Sequence, residues 1–325
     1  MMQIGLIGIG AGAASALLFA SVATGSLLSV LLFYLAPLPI LIAVLGWTHW
    51  AGLIAALGGA LALTAAFGSM FFVGFLVSAG LPAWWLGYLA MLARPAAANS
   101  GNGHADPSAA MEWYPPGRLV VWAAVLGALI VIVAIPNFGT NAESFHAGLQ
   151  SALSQLLHLE TSAPPAADAP QTSRIVDFLV IAIPPAAAVL ATLTNVLNLW
   201  LAGRIAKFSG SLRRPWPALE AMTFPPLVAA ALGVAILMGF VGGLAGVAAG
   251  VIAAALMMAY GVLGFAVLHA ITRGIDSRPF LLGGAYASVM VFGWPVLALC
   301  ALGLTESAFN IRARIARRRA PPTRT

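Results

Sequence analysis

Apolar residues dominate this chain in long runs, at about 3–23, 27–46, 50–67, 70–93, 119–135, 175–202, 224–241, 244–270 and 279–303. At 1.5 Å per residue a helix needs about 20 residues to cross ~30 Å of hydrocarbon, and runs of roughly 18 to 28 residues meet that length. They are too uniformly apolar for the alternating strands of a barrel. Lipid offers no hydrogen bonds to a bare backbone, so the pattern predicts an all-α, polytopic transmembrane helical bundle of about 8–9 hydrophobic segments.

Polar positions cluster between the runs. The early turns are short and rich in Gly, Trp and Pro, as in "GWTHW" (Gly46 to Trp50) and "AGLPAWW" (Ala79 to Trp85), and their indoles fit a membrane interface. Three longer segments follow within a single membrane domain over 1–303: a Pro-, Gly- and Asn-rich loop at 94–118, an acidic segment at 136–173 and a basic one at 203–222. Residues 304–325 form a basic tail. In "TNAESFHAGLQSALSQLLHLE", Thr140 and Glu143 have capping-box spacing, and Phe145, Leu149, Ala152, Leu153, Leu156 and Leu157 recur at helical spacing. They predict an amphipathic helix on the bilayer or across the mouth of the bundle, with His146, Gln150, Ser154 and His158 on its other side. Such a helix is either a lid over a site on the outer face or a connector.

Composition sharpens the class. Of 325 residues, 61% are hydrophobic and 7% charged, which leaves no room for a soluble domain of ordinary size. Residues 1–93 contain no Asp, Glu, Lys or Arg, so the first run lacks the charged start of a secretion signal and is expected to stay as a span. Cys300, the only cysteine, excludes an intrachain disulfide and reads as a small core hydrophobe.

Charge then orients the bundle. Arg204, Lys207, Arg213 and Arg214 put 203–222 in the cytoplasm, and Glu143, Glu160 and Asp168 put 136–173 outside. An inner amino terminus satisfies both. A simple ninth span would then send "NIRARIARRRAPPTRT", with its six arginines, outside. The tail is expected inside, which requires one late run to be split, re-entrant or interfacial; "FGWPV", with Pro295, marks a candidate break.

No charged residue lies in the middle of any apolar run, so the relays of proton-coupled transport and the acid or Ser/His pairs of intramembrane hydrolysis are not visible. His49, His104 and His269 stand apart from carboxylates and from Cys300, and "GGLAGVAAG" (Gly242 to Gly250) lacks the lysine of a phosphate loop and reads as packing glycines. No enzyme, metal site, cofactor or nucleic-acid partner is expected. Two features remain. Gly8, Gly12, Ala16 and Ala20 recur every fourth residue as a small-residue ridge for helix packing or partner docking. Asn195 and Asn198, flanked by Thr192 and Thr194, form a polar arc on one helix that serves as interhelical glue or, with Tyr260, as a ligand site.

"NVLNLWLAGRIAK", "AYGVLGFAVLHAITRG" and above all "LGLTESAFNIRARIARR" resemble the YybS-like integral membrane proteins of bacteria. The matching positions of the last motif are Leu302, Gly303, Leu304, Glu306, Phe309, Arg312 and Arg314, with Asn310 where an acidic residue is common. That family is distantly similar to the substrate-binding S components of energy-coupling-factor transporters. The resemblance implies a multi-pass protein of the bacterial inner membrane, docking on an energising module through Ala16 and Ala20. Two functions follow as expectations: a transport-associated subunit binding a small neutral or weakly polar solute, or a non-catalytic membrane scaffold working through its lipid and protein contacts.

Overall fold

The computed structural model of the chain describes residues 2–95, 111–156 and 169–319. His104, Leu157, His158, Glu160 and Asp168 lie outside the described residues.

The chain is helical almost throughout. In order, the helices are α1 (Met2–Ala20), α2 (Leu27–Tyr34), α3 (Pro37–Gly46), α4 (His49–Phe67), α5 (Met70–Phe75), α6 (Leu81–Ala90), α7 (Pro116–Ala134), α8 (Ala142–Leu156), α9 (Ala169–Phe208), α10 (Leu227–Gly239), α11 (Gly243–Ile271), α12 (Arg278–Phe292), α13 (Val296–Phe309) and α14 (Ile311–Arg319). Between α6 and α7, β1 (Ala93–Pro95) pairs antiparallel with β2 (Met111–Trp113), Arg94 opposite Glu112. The ends of the 94–118 segment are therefore a small hairpin where the composition predicted only loop. Arg94 Nε donates to Glu112 Oε2 at 2.7 Å, and this exposed pair holds the Glu112 carboxyl below its usual pKa.

Prolines explain how the apolar runs break into elements. Pro37 lacks an amide hydrogen and starts α3, so the second run is two short helices joined at Leu35 and Ala36. Pro82 removes the bond that would close on Ser78, and the backbone widens into a π turn over Leu76–Gly80 between α5 and α6. The last run divides at the expected place: α12 stops at Gly293, whose φ of 71° an L residue seldom adopts, and Pro295 caps the start of α13. Among the described residues, seven spans are long and apolar enough to cross a membrane, counting α2 with α3 and α5 with α6. Helices α10, α12 and α13 have 13, 15 and 14 residues, so each is only about 20–22 Å long.

Contacts group the chain into two compact units, one of Met1–Ala123 with Thr194–Met222, the other of Ala124–Leu193 with Thr223–Thr325. In the first, α1 runs against α4 through glycine. A Cβ on Gly12 would stand 2.6 Å from the Ala55 carbonyl oxygen, and one on Gly8 2.9 Å from that of Ala51. Without a hydrophobic effect between helices in lipid, such backbone approach supplies the dispersion contact that holds them. Val44 of α3 fills the space that Gly52 of α4 and Gly87 of α6 leave, beside the fully buried Ile40, Leu41 and Leu86.

In the second unit α11 is the axis. Gly264 lies against the backbone carbonyl of Leu299, and Gly303 of α13 against that of Tyr260. The "GGLAGVAAG" glycines serve other ends: Gly242 and Gly243 have positive φ and make the turn into α11, while Gly250 has open space around it. Only Gly246 packs closely there, against the Gly239 carbonyl.

Helix α8 is amphipathic as its spacing predicts, with a different cap. The helix starts at Ala142, so Asn141 is the N-cap: its Oδ1 accepts from Ser144 N at 2.8 Å, and Ser144 Oγ accepts from Asn141 N at 3.1 Å. This reciprocal box replaces the one expected from Thr140 and Glu143, because the first helical residue lies one position later than that pair requires. Phe145, Leu149 and Leu153 are buried on Val176 and Val180 of α9 and beside Leu244 and Val247 of α11, so the apolar face is covered by protein. Ala152, expected on that face, is exposed, as are His146 and Gln150.

Candidate functional site

Helix α9 carries the chain's central polar pair. Asn195 and Asn198 are 3% and 1% exposed, so each must find hydrogen-bond partners inside the protein. Asn195 Nδ2 donates to the Ala123 carbonyl of α7 at 3.2 Å. Asn198 Nδ2 donates both to the Tyr34 carbonyl, at the end of α2, at 2.8 Å and to Thr194 O of its own helix at 2.9 Å. The amides thus tie α9 to α7 and α2. Thr194 takes part through its backbone. Thr192 turns inward too, and its hydroxyl donates to Ala188 O at 2.8 Å, a local bond that lets a polar side chain sit beside Gly127. One acceptor is left over: Asn198 Oδ1 is buried and has no hydrogen-bond partner.

Tyr260 belongs to the second unit, whereas Thr194, Asn195 and Asn198 belong to the first. Its ring is fully buried and meets Phe224 edge-on at 5.3 Å, and its hydroxyl makes no hydrogen bond of good geometry. It packs at the level where Gly303 approaches α11.

The small-residue ridge of α1 is a packing surface. Gly8, Gly12 and Ala16 are buried with Ser15, whose hydroxyl donates to Ala36 O, while Ala20 is half-buried. The glycines face Ala51, Ala55 and Gly59 of α4.

The terminal motif resolves into separate jobs. Glu306 is buried and accepts from both the Arg312 amide, at 3.0 Å, and Arg312 Nε, at 2.8 Å, so it caps α14 and neutralises one arginine. Asn310 sits in the left-handed region (φ 49°), which asparagine tolerates better than most residues, and ends α13. Arg314 lies 5.9 Å from the Phe309 ring centroid.

The basic segment contains the residue that sequence reasoning missed. By charge pattern Arg214 is a topology determinant, yet it is 8% exposed: Nη1 donates to Ala90 O at 2.9 Å and Nη2 to Tyr114 O at 3.0 Å, with the guanidinium 5.9 Å from the Trp113 centroid. Desolvation by burial lowers its pKa from the usual arginine value. It clamps the end of α6 to the strand leading into α7. The only signal in the chain is the unusual "RRPWP", in which prolines confine the backbone beside a cation.

Aromatic residues gather at this end of the first unit. Trp84 Nε1 donates to His49 O at 3.1 Å, Trp85 packs edge-on against Trp122 at 5.6 Å, and Trp122 Nε1 donates to the Tyr114 hydroxyl at 3.1 Å. Arg204 lies 5.8 Å from the Trp200 centroid and 5.7 Å from that of Trp216, and Lys207 lies 5.2 Å from Trp216. Trp216 packs beside Gly203, at a distance where a Cβ would make ordinary contact with its ring.

Among the described residues, no group of three or more His, Cys, Asp or Glu could hold a metal. His269 Nδ1 is 2.9 Å from Phe265 O of its own helix, and the Cys300 thiol of α13 donates to Met257 O of α11 at 3.0 Å, so both are used in helix contacts. A groove of about 580 Å³ between α10 and α11 is lined by Leu227, Ala231, Val234, Ala235, Ala245 and Ala249, with no polar side chain on its walls. Compared with known proteins, the chain matches no family model, no curated protein and no solved structure.

Proposed function

We propose that the chain is a non-catalytic, multi-pass membrane protein that acts as an interaction or scaffold component of a bacterial inner membrane. The observation that carries this reading is the use of the α9 amides: the Nδ2 groups of Asn195 and Asn198 are spent on backbone carbonyls of neighbouring helices, which is the chemistry of a rigid bundle. The bacterial inner membrane rests on the resemblance to YybS-like proteins.

The topology that goes with it has eight crossings, α10 making a short one, and a broken pair. Helices α12 and α13 enter and leave on one side, because Gly293 and Pro295 break the last run into two short helices joined by a turn, whereas α10 is one unbroken helix. This keeps Arg273, Arg278 and the arginines of the tail together on the inside. A reporter fused to the carboxyl terminus is expected to read cytoplasmic, and a periplasmic signal overturns the arrangement.

A second reading has its own support. Asn198 Oδ1 is a buried acceptor awaiting a donor, so a solute-binding, transport-associated subunit working with an energising module takes a small neutral or weakly polar molecule. Mass spectrometry of a denatured extract of the purified protein separates the two. The scaffold reading expects no stoichiometric small solute. A solute held by the native chain and lost from a still-folded Asn195→Leu, Asn198→Leu variant rejects it in favour of transport.

A further inference from the structure

The last turns of α9 carry an amphiphile's pattern on one exposed side. Leu197 and Trp200 are 46% and 43% exposed, Arg204 and Lys207 follow at helical spacing, and Phe208 is 97% exposed. The order is apolar, then indole, then two cations, over about 15 Å of helix.

Two observations leave these cations without an ion pair or a capping role among the described residues, and a third shows how they are held. Neither is within ion-pair distance of a described carboxylate, whereas Arg312 is paired with Glu306. Nor do they cap their helix, because its final carbonyls are already taken: Ser209 N bonds Ile205 O, Gly210 N bonds Lys207 O, and both Ser211 N and Leu212 N bond Ala206 O. Finally, the chain folds back to place Trp216 against Gly203, where one ring faces both Arg204 and Lys207. A ring in that position holds two like charges near each other and restrains both side chains, which leaves a doubly cationic surface beside the exposed Leu197 and Trp200.

We propose that Arg204 and Lys207, braced on Trp216, form a binding site for the headgroup of an anionic phospholipid, with Trp200 at the glycerol level and Leu197 along an acyl chain. A phosphodiester offers the negative oxygens that two unneutralised donors need, and only a lipid also uses the apolar part of the stripe. Arg213, exposed in the same segment but on no ring, is a bystander to this site.

The full chain, delipidated in neutral detergent, is titrated with phosphatidylglycerol, phosphatidylcholine or inorganic phosphate and read by native mass spectrometry. Phosphatidylglycerol is expected to bind over phosphatidylcholine, and Arg204→Gln with Lys207→Gln to weaken it by roughly thirtyfold. Arg213→Gln should weaken it by less than about threefold, and the charge-keeping Arg204→Lys, Lys207→Arg pair should retain it, which also decides the matter if the neutral pair fails to fold. Unchanged phosphatidylglycerol binding in the neutral pair, an equal loss in Arg213→Gln, loss in the charge-keeping pair, or displacement of the lipid by inorganic phosphate overturns the site.

Discussion

The seam between α1 and α4 and the seam between α11 and α13 use the same device in two units of the molecule, and they differ in how close the backbones come. At the first, a Cβ on Gly12 would meet the Ala55 carbonyl at 2.6 Å. At the second, glycine faces a backbone carbonyl from both sides, Gly264 against Leu299 and Gly303 against Tyr260, more tightly still. The first seam is reciprocal as well, since a Cβ on Gly59 would stand 2.9 Å from the Gly12 carbonyl, but its approaches are wider by several tenths of an ångström. The tighter seam has less slack in which to give, so the second unit depends more sharply on residues that contribute no side chain.

The largest effect is therefore expected from Gly303→Val or Gly264→Val, at least about 3 kcal/mol, seen as loss of a monodisperse folded species in detergent. If either variant melts like the native protein, the contrast between the seams is wrong. Gly12→Val should cost about 2–3 kcal/mol, leaving a folded protein with a lower midpoint in a thermal scan. Should it prove the more damaging, the ranking reverses. Smaller again are Asn195→Leu and Asn198→Leu, at about 0.6 to ~2 kcal/mol each; Asn198→Leu costs more because Nδ2 makes two bonds, one of them across to α2. The smallest has the opposite sign. Gly58 of α4 and Gly10 of α1 have open space where a Cβ would go, so Gly58→Ala or Gly10→Ala should stabilise by about 0.5–1 kcal/mol through helix propensity alone. A loss there would mean those faces are covered by something beyond this chain.

The first seam was legible because its residues share one helix: Gly8, Gly12 and Ala16 fall at a spacing that the 3.6-residue period turns into a ridge. The second was not, since Gly264 and Gly303 lie on helices far apart in the chain and no local spacing couples them. The glycine-rich stretch at the start of α11 drew attention instead, and most of it makes a turn. The polar arc of α9 was legible as a pair, and its buried position follows from its amides. Which carbonyls answer them depends on where α2 and α7 come to rest. The cap of α8 was displaced by one residue because Thr140, Asn141 and Ser144 are all competent cap formers, and tertiary packing of Phe145 chooses among the registers they allow.

What the sequence determined by itself is everything written in length, local stereochemistry and hydropathy: helices in place of strands, runs long enough to span, the entry of α3 at Pro37, and the break before Pro295. These depend on a residue and its near neighbours, and lipid enforces them by refusing unpaired backbone groups. The tertiary structure decided what one stretch does for another. It turned Arg214 from a topology charge into a buried clamp, left Arg204 and Lys207 unpaired on a tryptophan, and assigned each asparagine its carbonyl. In an apolar medium most faces of a helix are equally greasy, so small differences in shape and a few hydrogen bonds choose the partners, and those differences exist only once the helices have met.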